Sequence, residues 1–216
     1  MLQQFLVNNK NLSTEKYIIS SCVISKNIVA KNSEQIFSAN NDLQSFFIDI
    51  YHKLKIDYPK FYKMDNLSKL GYIASEVLLK DENVQEIPKD KIGVVLTNSN
   101  SSLDADEKYF HTVREIASPA LFVYTLPNIV IGEICIRNKF KGENSFFVFD
   151  NFNSRFLKQY VGGLFNNNVV QLCICGWVDV LGENYKAVLF LVATKPQQQM
   201  LLFTEENMNT IFKKFE

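Results

Sequence analysis

SPALFVYTLPNIVIGEICIRNKFKGENSFFVFDNF, residues 118–152, is the stretch whose reading decides the fold. Pro127 presets φ for the first turn of a helix. Ile129, Val130, Ile131, Ile134, Cys135 and Ile136 then cover nearly the whole circumference of that helix as far as Phe140. A helix apolar all round is buried on most sides, at a domain centre or an interface. Gly142 is expected to stop it. SFFVFD, 145–150, follows as a strand, and Phe152, Phe156, Tyr160 and Leu164 mark the buried stripe of the next helix. Helix, strand and helix in direct succession are the layering of an α/β domain.

The same pattern extends outward. KIGVVLTN, 91–98, reads as a buried strand, and the segment 103–117 as a helix with Tyr109, Phe110, Val113 and Ile116 on its apolar face. Ser118-Pro119 is expected to end that helix, because a residue before proline avoids the helical region. Further upstream, Met64, Leu67, Leu70, Ala74, Val77 and Leu78 recur every three or four residues, which predicts an amphipathic helix. YIISSCVI, 17–24, reads as a strand, 27–50 has no clean period and is compatible with a loop followed by a helix, and 81–90 is a polar loop. Downstream, 169–175 and 186–194 are continuously apolar strands, as in sheets covered on both faces. Thr204 can cap a last helix, with Glu205 and Glu206 in its first turn and Lys213 and Lys214 in its last. The expectation is a single domain over 1–216, α/β, with a mixed five-stranded sheet covered by helices.

With 47% hydrophobic and 21% charged residues, the 216-residue chain predicts a packed core rather than disorder. Lys plus Arg equals Asp plus Glu at 23 each, so no overall field draws nucleic acid or anionic lipid. Residues 1–16 are polar and Asn-rich, without the apolar core of a signal peptide. The longest purely apolar run, 187–193, is too short to span a bilayer. The expected location is the cytoplasm, with no membrane or nucleic-acid partner. Cys22, Cys135, Cys173 and Cys175 show no disulfide spacing, and three sit in apolar runs as small buried hydrophobes.

Catalytic motifs are scarce. The eight glycines never fall in a phosphate-cradling order, no G-x-S-x-G elbow occurs, and only His52 and His111 are available as bases. Cys173 and Cys175 lie on one face of a strand, too few to hold zinc. Glu107 and His111, one helical turn apart, read as a solvated pair, and Asp104, Asp106 and Glu107 as an ordinary acidic first turn. No metal and no cofactor are expected.

Four passages nonetheless resemble the N-terminal half of β-ketoacyl-acyl-carrier-protein synthases, of the thiolase-like superfamily. KMDNLSKLGYIASEVLLK, 63–80, resembles their K-M-D-x-x-S-x-L-A helix. KIGVVLTNSNSSL, 91–103, resembles their R-I-G-V strand and glycine-rich turn. Residues 118–144 resemble the S-P…P-N helix ending in R-x-G-L-x-G-P, and VQLCICGWVDVL, 170–181, the A-x-V-G-G-x-D-A-L strand. The match is strongest over 61–181.

The departures carry the functional reading. In the family a nucleophilic cysteine follows the strand after R-x-G-L-x-G-P, at a helix N-terminus that lowers its pKa. Here that place falls on Asn151, within Phe149-Asp150-Asn151-Phe152, and none of these, nor Asn153, is a thiol. Asn151 is expected to cap a helix instead. The family's paired histidines and lysine lie in a C-terminal half beyond the strand 186–194, and the glycine-rich turn here reads TNSNSS, 97–102. The resemblance therefore implies no catalytic residue and a pseudoenzyme similar to a truncated chain-length factor. Such a subunit pairs with an active ketosynthase as a heterodimer, with acyl carrier protein as a further expected partner, in polyketide, aryl polyene or fatty-acyl biosynthesis. By resemblance, Phe146, Phe147, Val148, Phe149, Pro127 and Asn128 would form the partner interface, and Leu103, Phe110, Leu121 and Tyr124 the gate of an acyl tunnel. The alternative for the phenylalanines is that they are plain core of this domain. The alternatives are a homodimeric acyl-group or acyl-carrier-protein binding module, and an enzyme of other chemistry using Cys173 or Asp150.

Overall fold

The structure, a computed structural model, describes residues 15–195 and 200–215. The reading of residues 1–14 as a polar start lies outside them. In chain order the elements are β1 (Tyr17–Ser25), β2 (Ile28–Lys31), β3 (Glu34–Ser38), α1 (Leu43–Lys53), α2 (Asn66–Leu79), β4 (Ile92–Asn98), α3 (Leu103–Val113), α4 (Pro119–Phe122) and α5 (Ile129–Asn138). There follow β5 (Asn144–Val148), α6 (Ser154–Asn166), β6 (Leu172–Leu181), β7 (Asn184–Ala193), β8 (Leu201–Leu202) and α7 (Glu205–Lys213).

All strands form one mixed sheet, ordered β3-β2-β1-β7-β6-β4-β5, with β8 beside β1. β4 runs parallel to both β5 and β6, and the remaining pairs are antiparallel. The five expected strands are present, and three more join them among the described residues. β2 and β3 lie in the stretch without a period. They are short, and their turns use Lys26-Asn27 and Asn32-Ser33, each pair with both φ positive. That is the twist-matched hairpin turn, built here without the Asn-Gly signal that marks it in sequences.

Helices cover both faces, because adjacent strand residues point to opposite sides. One core joins Val94, Leu96, Ile174, Val178 and Leu191 to Leu70, Ile73, Ala74 and Val77 of α2, Phe46 and Phe47 of α1, and Val130, Ile131 and Ile134 of α5. The other joins Val95, Cys173, Cys175, Phe190 and Val192 to Leu157, Val161 and Phe165 of α6 and Met208 and Ile211 of α7. α2 is the inner helix of the first layer: a Cβ added at Gly71 would stand 2.3 Å from Val130 Cγ2 of α5.

Several boundaries differ from expectation, each for a local reason. α3 ends at Val113 rather than near 117, and Ser118-Pro119 starts α4: Ser118 Oγ accepts from Leu121 N at 3.4 Å and Pro119 takes the first helical position. α5 begins at Ile129 and ends at Asn138, where Lys139 adopts φ +58° and Phe140 N donates to Cys135 O. Gly142 serves a different need. The chain crosses the start of β4 so closely that a Cβ there would lie 2.4 Å from Ile92 O. Asn153, not Asn151, caps α6, its Oδ1 accepting from Phe156 N at 2.9 Å. Asp65 and Thr204 cap α2 and α7, the latter as expected. No single helix among the described residues is long and apolar enough to cross a membrane.

Candidate functional site

β5 is the end of the sheet, bonded to β4 on one side only. Glu143 O accepts from Val94 N and Phe149 N donates to Asn98 O, both at 2.9 Å. Backbone groups alternate in direction along a strand, so residues 143, 145, 147 and 149 face β4. Residues 144, 146 and 148 turn their N–H and C=O to the free edge. Such an edge is a template for another strand.

Of the six expected interface residues, the four from Phe146 to Phe149 divide by parity. Phe146 leans on the α2–α5 core. Phe147 and Phe149 point the other way, into an aromatic cluster with Phe156 and Tyr160 of α6, whose ring centroids lie 4.7–5.0 Å from those of their nearest strand partners. Val148 is 51% exposed. The phenylalanines are thus half-buried margins of the two cores, flanking the open edge on both sides. Ser145 Oγ, Tyr160 and the Glu143 carboxylate join at the base of the cluster. Asn128 is exposed at the start of α5 and Pro127 is half-buried.

Beyond β5, Asn151 is exposed on the turn into α6. Residues 149–155 and Asn209 line an open hollow of about 390 Å³. No thiol stands there. All four cysteines lie elsewhere, and burial holds every one above its ordinary pKa, Cys135 up to about 11. Cys173 and Cys175 share a face, as expected, but it is the packed side under α6 and α7. Glu107 and His111 are both exposed on α3. Among the described residues no group of three or more His, Cys, Asp or Glu side chains is placed to hold a metal.

The turn after β4 is closed by side chains. Asp179 accepts from Ser99 N, Ser99 Oγ, Asn100 N and Asn100 Nδ2, at 2.8–3.3 Å. Asn98 and Ser101 exchange two further bonds. Asp104, 5% exposed, accepts from Asn66 Nδ2 at 3.0 Å, Gly182 N at 3.0 Å and Lys108 Nζ at 2.6 Å, pinning α3 to α2 and the β6–β7 turn. Carboxylates with several donors make strong, well-directed bonds. The acidic first turn read as ordinary is therefore partly a buried joint.

The four expected gate residues do not form one surface. Leu103 and Phe110 lie two turns apart on one side of α3, 41% and 58% exposed. Leu121 is half-buried in α4. Tyr124 turns inward toward Glu133, and burial, then the Glu133 charge, pushes its phenol up to about 12. Besides Leu103 and Phe110, the exposed apolar side chains of this part of the chain are Val113, Ile116, Phe122, Val123 and Leu126, and the Phe122 ring lies 5.4 Å from that of Tyr109 on α3. Glu133 was passed over in the sequence. It is buried in α5 and paired with Lys60 Nζ at 2.8 Å. Its signal is one acid inside the apolar run IVIGEICI.

No family model and no curated protein sequence matches the chain. Solved structures do. A chain of the ishigamide ketosynthase/chain length factor superposes with a TM-score of 0.61 at 16% identity, over 83% of this chain and 62% of that one. The ketosynthase ApeO in complex with its chain length factor ApeC, from Xenorhabdus doucetiae, provides a chain matched at TM-score 0.56 and 11% identity, over 93% of this chain and 92% of the other. A β-ketoacyl synthase from Burkholderia phymatum matches at 0.57 and 10%, over 83% and 59%. The chain spans about 62% of the first of these structures and nearly all of the matched chain in the second. At such identities the likeness is one of fold. The chain shares the mixed α/β fold of the matched parts of these ketosynthase and chain-length-factor structures.

Proposed function

We propose that this chain is a non-catalytic, chain-length-factor-like subunit that pairs with an active β-ketoacyl synthase and shapes the acyl tunnel of that enzyme. The observation that supports this reading is a strand edge left open for pairing, beside Asn151, which the sequence resemblance puts in the place of the family's nucleophile. All four thiols are held in the unreactive, protonated direction, the opposite of an activated nucleophile. The exposed apolar residues between Leu103 and Leu126 are the source of apolar area that a bare edge lacks in this reading. A stable interface needs about 800 Å² from each partner. Neighbours solved as ketosynthase and chain-length-factor complexes, one with its acyl carrier protein, support the pairing.

The test is co-expression with candidate ketosynthases, followed by mass photometry and product analysis. A one-to-one complex whose product length differs from that of the ketosynthase alone supports the proposal. Thioester formation by the purified chain alone overturns it. A stable homodimer indifferent to every ketosynthase would favour an acyl-group or carrier-protein binding module.

A further inference from the structure

We infer that residues 103–125 form a flap that opens and closes as one unit, pinned to the domain by Asp104 and Tyr124 and free along the rest of its length. The inference stands apart from the pairing proposed above, because it is read in the isolated chain. The segment comprises α3, α4 and the turn Val123–Thr125. Across residues 106–123 no residue is buried. In α3 only Asp104 and Ala105 are buried, and the remainder of the segment adds Tyr124 alone. By contrast, α2 is buried along nearly its whole length.

The flap is bonded mainly to itself. Tyr109 of α3 meets Phe122 of α4, and Ser118 N donates to Thr112 Oγ1 at 3.1 Å. At the base, Ser102 Oγ donates to Thr125 O at 2.9 Å, so the two ends of the segment meet. Among the described residues, the hydrogen bonds and ion pairs of residues 105–123 all close within 102–125. The chain on either side is fixed. Asp179 holds Ser99 and Asn100 before the flap, and Val130, Ile131 and Ile134 sit in the first core after it. With 11 residues, α3 is shorter than the about 12–15 at which an isolated helix is still only marginal in water. Segments with few buried apolar contacts open well below the free energy of global unfolding. Two pins are left to hold the flap shut. The buried Asp104 carboxylate accepts from Asn66 Nδ2 and Gly182 N, both at 3.0 Å, and the buried Tyr124 turns toward Glu133. Release of these pins moves Leu103, Phe110 and Phe122 as a group and leaves both cores intact.

Amide hydrogen exchange of the isolated full chain in rising, sub-denaturing urea tests this. The amides of α3 and α4 are expected to converge on one opening reaction with a common urea dependence, weaker than that of α2. Their protection should be at least about 100-fold below that of α2 and α5. Amides in α3 as protected as those of α2 overturn the inference, and so does exchange residue by residue with no urea dependence, which is simple fraying. Asp104→Asn keeps the shape of the side chain and removes the charge that three donors share. It should speed exchange about tenfold across the whole of 103–125 and leave β4, β6 and β7 unchanged. Acceleration confined to the first turn of α3 overturns the inference. Should Asp104→Asn fail to fold, Tyr124→Phe replaces it, since the ring is kept and only the hydroxyl near Glu133 is lost. Faster exchange reaching α3 from that substitution supports the single unit; an effect limited to residues 122–126 overturns it.

Discussion

Phe152 lies flat against Phe212, with ring centroids 4.2 Å apart and planes 2° from parallel. The first ring precedes α6, next to Asn151, and the second belongs to α7. Trp177 of β6 meets both edge-on, and Lys186 Nζ stands 4.0 Å from the Phe212 ring. The stack ties the turn after β5 to the C-terminal helix and closes the edge of the second core.

Phe212→Ala should therefore loosen α7 as a unit. Loss of the stack and of half-buried apolar area costs about 2 kcal/mol, which lowers Tm by about 4–8 °C in a chain of this size. Thermal melts followed by Trp177 fluorescence check this, because the indole lies against the ring removed. An unchanged melt would mean that α7 contributes nothing to the core.

Val148→Pro should separate pairing from folding. The Val148 N–H faces the free edge and not β4, so proline there removes no bond of the sheet within this chain. Proline is tolerated on edge strands for that reason. The isolated variant is expected to lose no more than about 5 °C in Tm, equivalent to about 1–2 kcal/mol, while co-purification with the ketosynthase is lost. Retained binding would move the interface away from β5.

The two aromatic gate candidates should act differently. Phe110 is exposed, so Phe110→Ala should leave the isolated chain within about 0.5 kcal/mol of wild type and lengthen the product of the reconstituted pair. Tyr124 is buried against Glu133, so Tyr124→Ala should cost about 3 kcal/mol as a cavity. Mass spectrometry of products, beside denaturant melts of each free variant, separates the two effects. If neither substitution changes product length, these residues do not gate the tunnel.

The cysteines make a pH prediction. Burial raises the thiol pKa values of Cys22, Cys173 and Cys175 and brings Cys135 to about 11. A folded pKa above the unfolded value, ~8.5, means that the fold favours the protonated thiol. Stability is then constant with respect to these groups below about pH 8 and falls as the pH rises above ~8.5 and the unfolded thiols ionise. Urea midpoints between pH 6 and 10 check the sign. At pH 8 a thiol reagent should label the native chain far more slowly than the denatured one; rapid native labelling of any cysteine would reopen catalysis.

Much of this architecture is legible in the chain. The apolar period of α2, the all-apolar circumference of α5 and the continuous runs of β4, β6 and β7 are local properties, because a helix or a buried strand needs its apolar residues at fixed spacing. The hairpin β2–β3 escaped because its strands are short and its turns reach positive φ with Lys, Asn and Ser. Asn153 took the cap expected of Asn151 because the chain needs two more residues after β5 to bring α6 over the sheet. Asp104, Asp179 and Glu133 were hidden for another reason: their partners are distant in sequence, Asn66 and Gly182, Ser99 and Asn100, and Lys60.

The sequence by itself determined the types and order of β1, α2, β4, α3, α5, β5, α6, β6, β7 and α7, the α/β layering and the absence of a thiol at residue 151, since each depends on residue type and near-neighbour spacing. Only the tertiary structure decided that β5 is an edge, that Phe146 and Phe147 point to opposite cores, and that Leu103, Phe110 and Phe122 stay exposed while α6 and α7 turn charges to water. Those are relations between segments far apart along the chain. Only packing, by choosing which surfaces are covered, can set them.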